Sequence, residues 1–336
     1  MNYRAIDVGY GWVKALSEKQ RLKFPAVIGE YRQVKYMSEI GLDMELNFAI
    51  NHGELGRFFI GESAQKQSVA LATMEKDRIV NKEGNLLLLA ALGLLQENTA
   101  ETISLVVGLP VLFYNEKMKF AYQKMVYGNH QFQLLYPDGS IMKSCNFKVG
   151  DIKVLPQPMG AIFSQLVTEK GEIVDETIAS GKIGALVIGY NTLEIARCDN
   201  LEYIESKSTS IPGLGMYSIY EDLHNEIFQQ LEVNIPIEEI EPYVMNNFIK
   251  IRGRETSIVD IKRKAFTAAQ DKIMSAAKNI WKDINLMDRI YIAGGVANVI
   301  GPAIRSNLGD YSVVVKEPVW SVADGYRKYA KWFWRL

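Results

Sequence analysis

Cysteine is scarce: Cys145 and Cys198 are the only two in 336 residues, with no CxxC pair and no histidine at metal-ligand spacing from either. That excludes a disulfide framework and a structural zinc site, and it fits a reducing cytoplasm. Long apolar runs are also missing. The longest aliphatic stretch, Leu86 to Leu95, falls short of the roughly 20 residues needed to cross a bilayer, and the first residues run straight into a strand pattern. The chain therefore reads as soluble, with no membrane partner. No charge sign dominates, since 38 Lys and Arg balance 39 Asp and Glu for a net charge of -1. Direct sequence-specific binding of nucleic acid is not expected from that balance, and a connection to DNA would need a local patch or an adaptor protein. The three histidines, His52, His130 and His224, are too scattered for a hydrolase triad. No Pro/Gly/Ser-rich linker divides the chain, so two closely packed domains with a cleft between them are expected. What is abundant is apolar content, 48% of the residues, enough to fill a core in each domain.

The opening segment Tyr3 to Gly9 has a strand pattern, and after Tyr10-Gly11 the pattern resumes as Trp12 to Leu16 without helical period. This predicts a hairpin. A dinucleotide-binding glycine loop leads from a strand into a helix, so the Rossmann reading loses most of its weight. A third strand is expected over Arg21 to Ile28, another ending at Gly61, a helix over Lys82 to Gln96, and a buried strand Thr102 to Leu109 stopped by Pro110. A helix over Asn115 to Tyr127 precedes strands running to Leu155, a turn Pro156-Gln157-Pro158, and a helix from Met159.

From Ile183 the opening pattern returns: a strand to Gly189, the turn Tyr190-Asn191, and a strand Thr192 to Arg197. Gly9 and Gly189 lie 180 residues apart, as an internal duplication would place them. Helices over Met216 to Leu231, Ile237 to Ile249 and Val259 to Ile284 follow, then a strand Arg289 to Ala293 and the turn Gly294-Gly295.

In a tight hairpin, Gly9 and Gly11 let backbone N–H groups approach an anion, a phosphate clamp in chemical terms. Taken alone, the motif is equally an ordinary hairpin turn. Asp7 at a strand end can hold magnesium through its water shell, and Lys14 on the returning strand can reach the β- and γ-phosphates. Gly189, Tyr190, Asn191 and Thr192 would grip the same phosphates from the other side. Gly294-Gly295, before a helix N-terminus, leaves room for a flat ligand such as adenine or ribose, although a close strand-to-helix turn explains the pair as well. Gln157, stiffened by its flanking prolines, can orient a water for in-line attack. The terminal Lys331-Trp-Phe-Trp-Arg335 reads as a helix docking its aromatics on the core, and Lys262-Arg263-Lys264 as a solvated helix face.

In their order along the chain, these segments resemble the actin-like ATPases, particularly the plasmid-segregating ParM/StbA group and its archaeal relatives. Asp7-Val-Gly-Tyr-Gly-Trp-Val-Lys14 is similar to the first phosphate loop, DxGxxxxK. Arg57-Phe-Phe-Ile-Gly-Glu-Ser-Ala64 resembles a segment before the first long helix, and Val107-Gly-Leu-Pro110 the family's GLP strand. Gln157-Pro-Met-Gly-Ala161 sits where the family has a water-positioning Glu or Gln, and Ile292-Ala-Gly-Gly-Val-Ala-Asn298 resembles the adenosine motif. Ile211-Pro-Gly-Leu-Gly215 would border the nucleotide, and Lys262 would lie beside the adenine.

The resemblance implies an α/β, actin-like (ribonuclease H-like) duplicated two-domain fold with ATP or ADP and Mg2+ in the interdomain cleft. Domain I would cover residues 1–158, with 311–336 returning to it, and domain II residues 159–310. Asp7 and Gln157 would be catalytic, Asp7 through the metal's waters. Gly9, Tyr10, Gly11, Trp12, Lys14, Gly189, Tyr190, Asn191, Thr192, Gly213, Gly215, Lys262, Gly294, Gly295, Val296 and Asn298 would line the nucleotide. The implied activity is ATP hydrolysis coupled to self-association into filaments, for plasmid segregation through a DNA-bound adaptor. A scaffold with little hydrolysis, or a metabolite kinase of the same superfamily, remains the alternative. The second phosphate loop departs from the family's DxGxxTTD: Val187 replaces the first Asp, Leu193 one Thr, and Glu194 the last Asp. Nucleotide binding is therefore implied more firmly than fast hydrolysis.

Overall fold

The computed structural model describes residues 2–34, 47–68, 70–71 and 78–336. The chain forms two compact units, Met1–Val174 together with Val322–Leu336, and Asp175–Ser321.

The first unit is organised by strand Tyr3–Val8, buried at every position. It pairs antiparallel with Trp12–Leu16, as the hairpin reading requires, and parallel with Glu101–Leu109, which in turn runs parallel to Ile141–Pro156. Among the described residues, these strands belong to a ten-stranded mixed sheet. Helix Lys82–Leu95 packs on it; Asn81 caps the helix, its side chain accepting from Glu83 and Gly84 N–H. Leu88 and Leu92 of that helix meet Ile6, Val13, Phe24 and Leu105 in one apolar core.

The second unit repeats the scheme. Lys182–Ile188 pairs antiparallel with Thr192–Asp199 and parallel with Arg289–Gly294, which is parallel to Ser312–Val314. Helices Met216–Leu231, Val259–Ile280 and Ala297–Leu308 bury Ile219, Ile273 and Ile300 against Leu186, Ile195 and Ile292. Among the described residues, no helix is long and apolar enough to cross a membrane.

Several boundaries differ from the sequence reading, each for a local reason. The strand expected over Arg21 to Ile28 breaks after Pro25: Ala26 N–H turns aside to Gly11 O, and Ile28–Glu30 pairs elsewhere in the sheet. The helix expected from Met159 begins at Gln157, because Pro158 suits a first helical turn. The helix expected over Ile237 to Ile249 is instead a 3-10 turn Ile237–Glu239, a short helix Glu241–Met245 and the strand Phe248–Ile251. Pro236 and Pro242 divide the segment there. The helix expected to reach Ile284 stops at Ile280, where Trp281 is buried and its indole N–H donates to Lys207 O. Lys262 is not on a solvated face: it is buried, while Arg263 and Lys264 are exposed. The C-terminal helix Ser321–Trp334 does dock its aromatics, with Trp332 stacked on Phe163 and Trp334 donating to Asp151.

Candidate functional site

In the first unit the hairpin closes through Gly9 N–H to Trp12 O at 3.1 Å. Asp7 and Lys14 are direct cross-strand partners, which places both side chains on one face. Lys14 Nζ lies 3.0 Å from Asp7 Oδ2, and the Gln157 amide donates to Asp7 Oδ1 at 2.7 Å. Asp7 is only 3% exposed, so its charge is compensated on both oxygens. The structure thus brings Asp7, Lys14 and Gln157 into one cluster beside the Gly9-Tyr10-Gly11 turn. Trp12, at the end of that turn, lies under the Lys23 ammonium, 4.1 Å from the ring centre.

The hairpin of the second unit has the same closure, Gly189 N–H to Thr192 O at 2.8 Å. Its backing is visible bond by bond. Met216 N–H donates to Gly189 O, Tyr217 N–H to Tyr190 O, and Gly213 N–H to Asn191 O, all at 2.8 to 2.9 Å. These three bonds hold the Gly189, Tyr190 and Asn191 carbonyls in place. The contact is so close that a Cβ at Gly215 would lie 2.7 Å from Tyr190 O, which explains that glycine, whereas Gly213 answers to its φ of +73°.

Gly294 and Gly295 join the same cluster. Gly294 has φ +104°, and a Cβ there would sit 2.1 Å from Ile188 O; Gly295 N–H donates to that same carbonyl at 3.0 Å. The helix beginning at Ala297 has Val296 at its cap position with no side-chain cap, and Gly295 and Asn298 are exposed at its entry. Ile188 and Met216 thereby bring Gly189, Gly294 and Gly295 together, with Gly213 and Gly215 packed on Tyr190 and Asn191 beside Thr192, and Val296 and Asn298 following along the chain. The Lys262 ammonium donates to Asn246 O at 2.7 Å and to Asn247 Oδ1 at 3.0 Å, and burial lowers its pKa.

The departure at Val187 is equally concrete. Val187 is cross-strand partner of Glu194, as Asp7 is of Lys14, and both are buried. The Ser210 hydroxyl donates to Glu194 Oε2 at 2.6 Å, an interaction that the sequence reading missed. Also missed was the Gln157–Asp7 bond, since 150 residues separate the partners.

Among the described residues, no three His, Cys, Asp or Glu side chains form a group able to hold a metal ion. A lone carboxylate such as Asp7 suits magnesium held through waters and phosphate oxygens, which does not need an all-protein cage. The donor set therefore fits Mg2+ in that outer-sphere mode.

A duplicated α/β fold, each half opened by a glycine hairpin on the end of its central strand, defines the actin-like class of two-domain proteins. Residues 5–160 match the family described as "Actin like proteins N terminal domain", and residues 186–306 match "Archaeal actin homologue MreB-like, C-terminal". The chain belongs to the actin-like superfamily. Similar solved structures include a 15-stranded ParM filament from Clostridium botulinum, 23% identical with TM-score 0.78, covering 98% of this chain and 99% of the other. Ta0583, an archaeal actin homologue in complex with ADP, is 17% identical with TM-score 0.79 over 98% and 99%. Bacillus thuringiensis ParM with AMPPNP is 18% identical with TM-score 0.74 over 100% and 99%. No curated protein matches the sequence.

Proposed function

We propose that this chain binds ATP with Mg2+, assembles into filaments and hydrolyses the nucleotide, and that the filaments move plasmid DNA through a DNA-bound adaptor. The observation that carries the reading is the pair of hairpins with matching closure, 180 residues apart, one bearing the Asp7–Lys14–Gln157 cluster and the other a turn whose carbonyls are held by Gly213, Met216 and Tyr217 N–H. Similarity to the ParM filament supports assembly, and the relatives solved with ADP and AMPPNP support nucleotide binding.

In this reading Lys14 exchanges Asp7 for the phosphates, and the N–H groups of both turns bind phosphate oxygens. Gly294, Gly295, Val296 and Asn298 meet the adenosine, with Gly213 and Gly215 supporting the second turn. Magnesium, when bound, neutralises charge that develops on the transferring phosphoryl group. Asp7 holds the metal's waters. Gln157, already 2.7 Å from Asp7, orients the attacking water without acting as a strong base. Lys262 acts indirectly, by anchoring Asn246 and Asn247.

A second reading, a polymer with slow turnover, is favoured by Val187, which leaves the second loop without the carboxylate that the family's pattern has there. Light scattering after addition of Mg-ATP, recorded with phosphate release from the same sample, separates the two. Scattering followed by release and decay supports a dynamic filament, and scattering without release the slow polymer. ATP binding with no scattering would sink both.

A further inference from the structure

The glycine of the Gly108-Leu-Pro segment faces a buried phenol. A Cβ at Gly108 would lie 1.7 Å from the Tyr326 hydroxyl, 2.7 Å from its Cζ and 3.3 Å from Gln157 Cα. The missing side chain thus leaves a notch in which the tip of Tyr326 rests against the Gln157 backbone. Tyr326 has no exposed surface, and its hydroxyl donates to Gln157 O at 3.4 Å. That is long for an O–H···O bond, so the phenol holds Gln157 more by filling the notch than by bonding. One turn further on, the two helices meet backbone to backbone. A Cβ on Gly325 would sit 1.7 Å from Gly160 O, and one on Gly160 would sit 2.4 Å from Val322 O. Helix Gln157–Leu166 is therefore seated directly on the backbone of the C-terminal helix.

From this we infer that Tyr326 is a positioning residue for Gln157: seated in the Gly108 notch, it sets the first residue of that helix so that the Gln157 amide meets Asp7. The inference rests on the reading of Gln157 as the group that orients the attacking water. It gives the Gly108-Leu-Pro segment and the C-terminal helix a place in the chemistry, although neither touches the reacting atoms.

The test uses the full-length protein, 15N-labelled, with the Gln157 side-chain amide signal assigned by its loss in Gln157→Ala. Tyr326→Phe keeps the ring and removes the atom that fills the notch; Gly108→Ala crowds the notch instead. Both variants are expected to move the Gln157 amide signal and speed its hydrogen exchange. Single-turnover phosphate release should fall by about 10-fold in Tyr326→Phe, part of the about 100-fold that misplacement by 1 Å can cost, with ATP affinity unchanged. A lowered melting temperature with the amide signal and the rate both unmoved would mean that Tyr326 is merely structural, and would overturn the inference. If wild type binds ATP without releasing phosphate while the amide signal still moves in the variants, the positioning stands and the hydrolytic role of Gln157 falls.

Discussion

Asp7 has each of its oxygens matched to a different partner, so its two neighbours should fail in different ways when removed. If Lys14 binds the phosphates as proposed, replacing it by Ala removes a charge-assisted hydrogen bond worth about 1.5–3 kcal/mol, and ATP affinity should fall about 10- to 100-fold by titration calorimetry. Gln157→Ala should leave that affinity intact and slow phosphate release about 100-fold in a single-turnover assay. Equal loss of affinity in both variants would contradict the division of roles. Val187→Asp sets a carboxylate beside buried Glu194, so it should lower stability without ligand and speed hydrolysis once Mg-ATP is bound. A rate unchanged by that substitution would show that Val187 does not limit turnover.

The elements that shape the site depend on close backbone approach. Alanine at Gly294 would have to adopt φ +104° and push against Ile188 O, a strain of about 1–3 kcal/mol from the backbone alone. Urea denaturation should show at least that loss, and nucleotide binding should weaken with it. Away from the site, Arg197 bonds Asp199 and Asp283 together, and its hydrogen bond holds the Asp283 carboxyl down at about 2 from an ordinary 3.8. The folded value is the lower one, so this stabilisation is complete above the unfolded pKa and vanishes as pH falls from about 3.8 through about 2. Asp283→Asn should therefore lower the urea midpoint at pH 7, with the gap to wild type closing as the pH approaches 2.

At the scale of the chain, the 180-residue offset holds over the two strands of each hairpin. Tyr3–Val8 matches Lys182–Ile188, Trp12–Leu16 matches the start of Thr192–Asp199, and each hairpin lies beside a parallel strand ending in a glycine turn or a Gly-Leu-Pro segment. The two copies have diverged where chemistry is concerned: Asp7 and Lys14 in one stand at the positions of Val187 and Glu194 in the other. A ligand that binds only the folded chain stabilises it by mass action. ATP with magnesium at 100 times its dissociation constant should add about 2.7 kcal/mol, readable as a rise in melting temperature. ATP that leaves the melting temperature unchanged at every concentration would contradict nucleotide binding.

The hairpins, the duplication and the residues of both turns were legible in the sequence, because glycine placement and period-2 alternation act over a few neighbouring positions. The break at Pro25 and the start of the helix at Gln157 were misjudged by a few residues, since proline permits more than one local outcome. The segment from Ile237 has apolar spacing that suits one helix, yet it divides into the 3-10 turn Ile237–Glu239 and the short helix Glu241–Met245, with Pro236 before the turn and Pro242 at the start of the helix. What only the tertiary structure decided are the contacts between residues far apart in the chain. Gln157 reaches Asp7, Met216 and Tyr217 back the second turn, Lys262 is drawn inward to Asn246, and Tyr326 fills the notch at Gly108. Local pattern specifies which way a strand turns, whereas the pairing of distant groups is set by packing, which a linear sequence does not display.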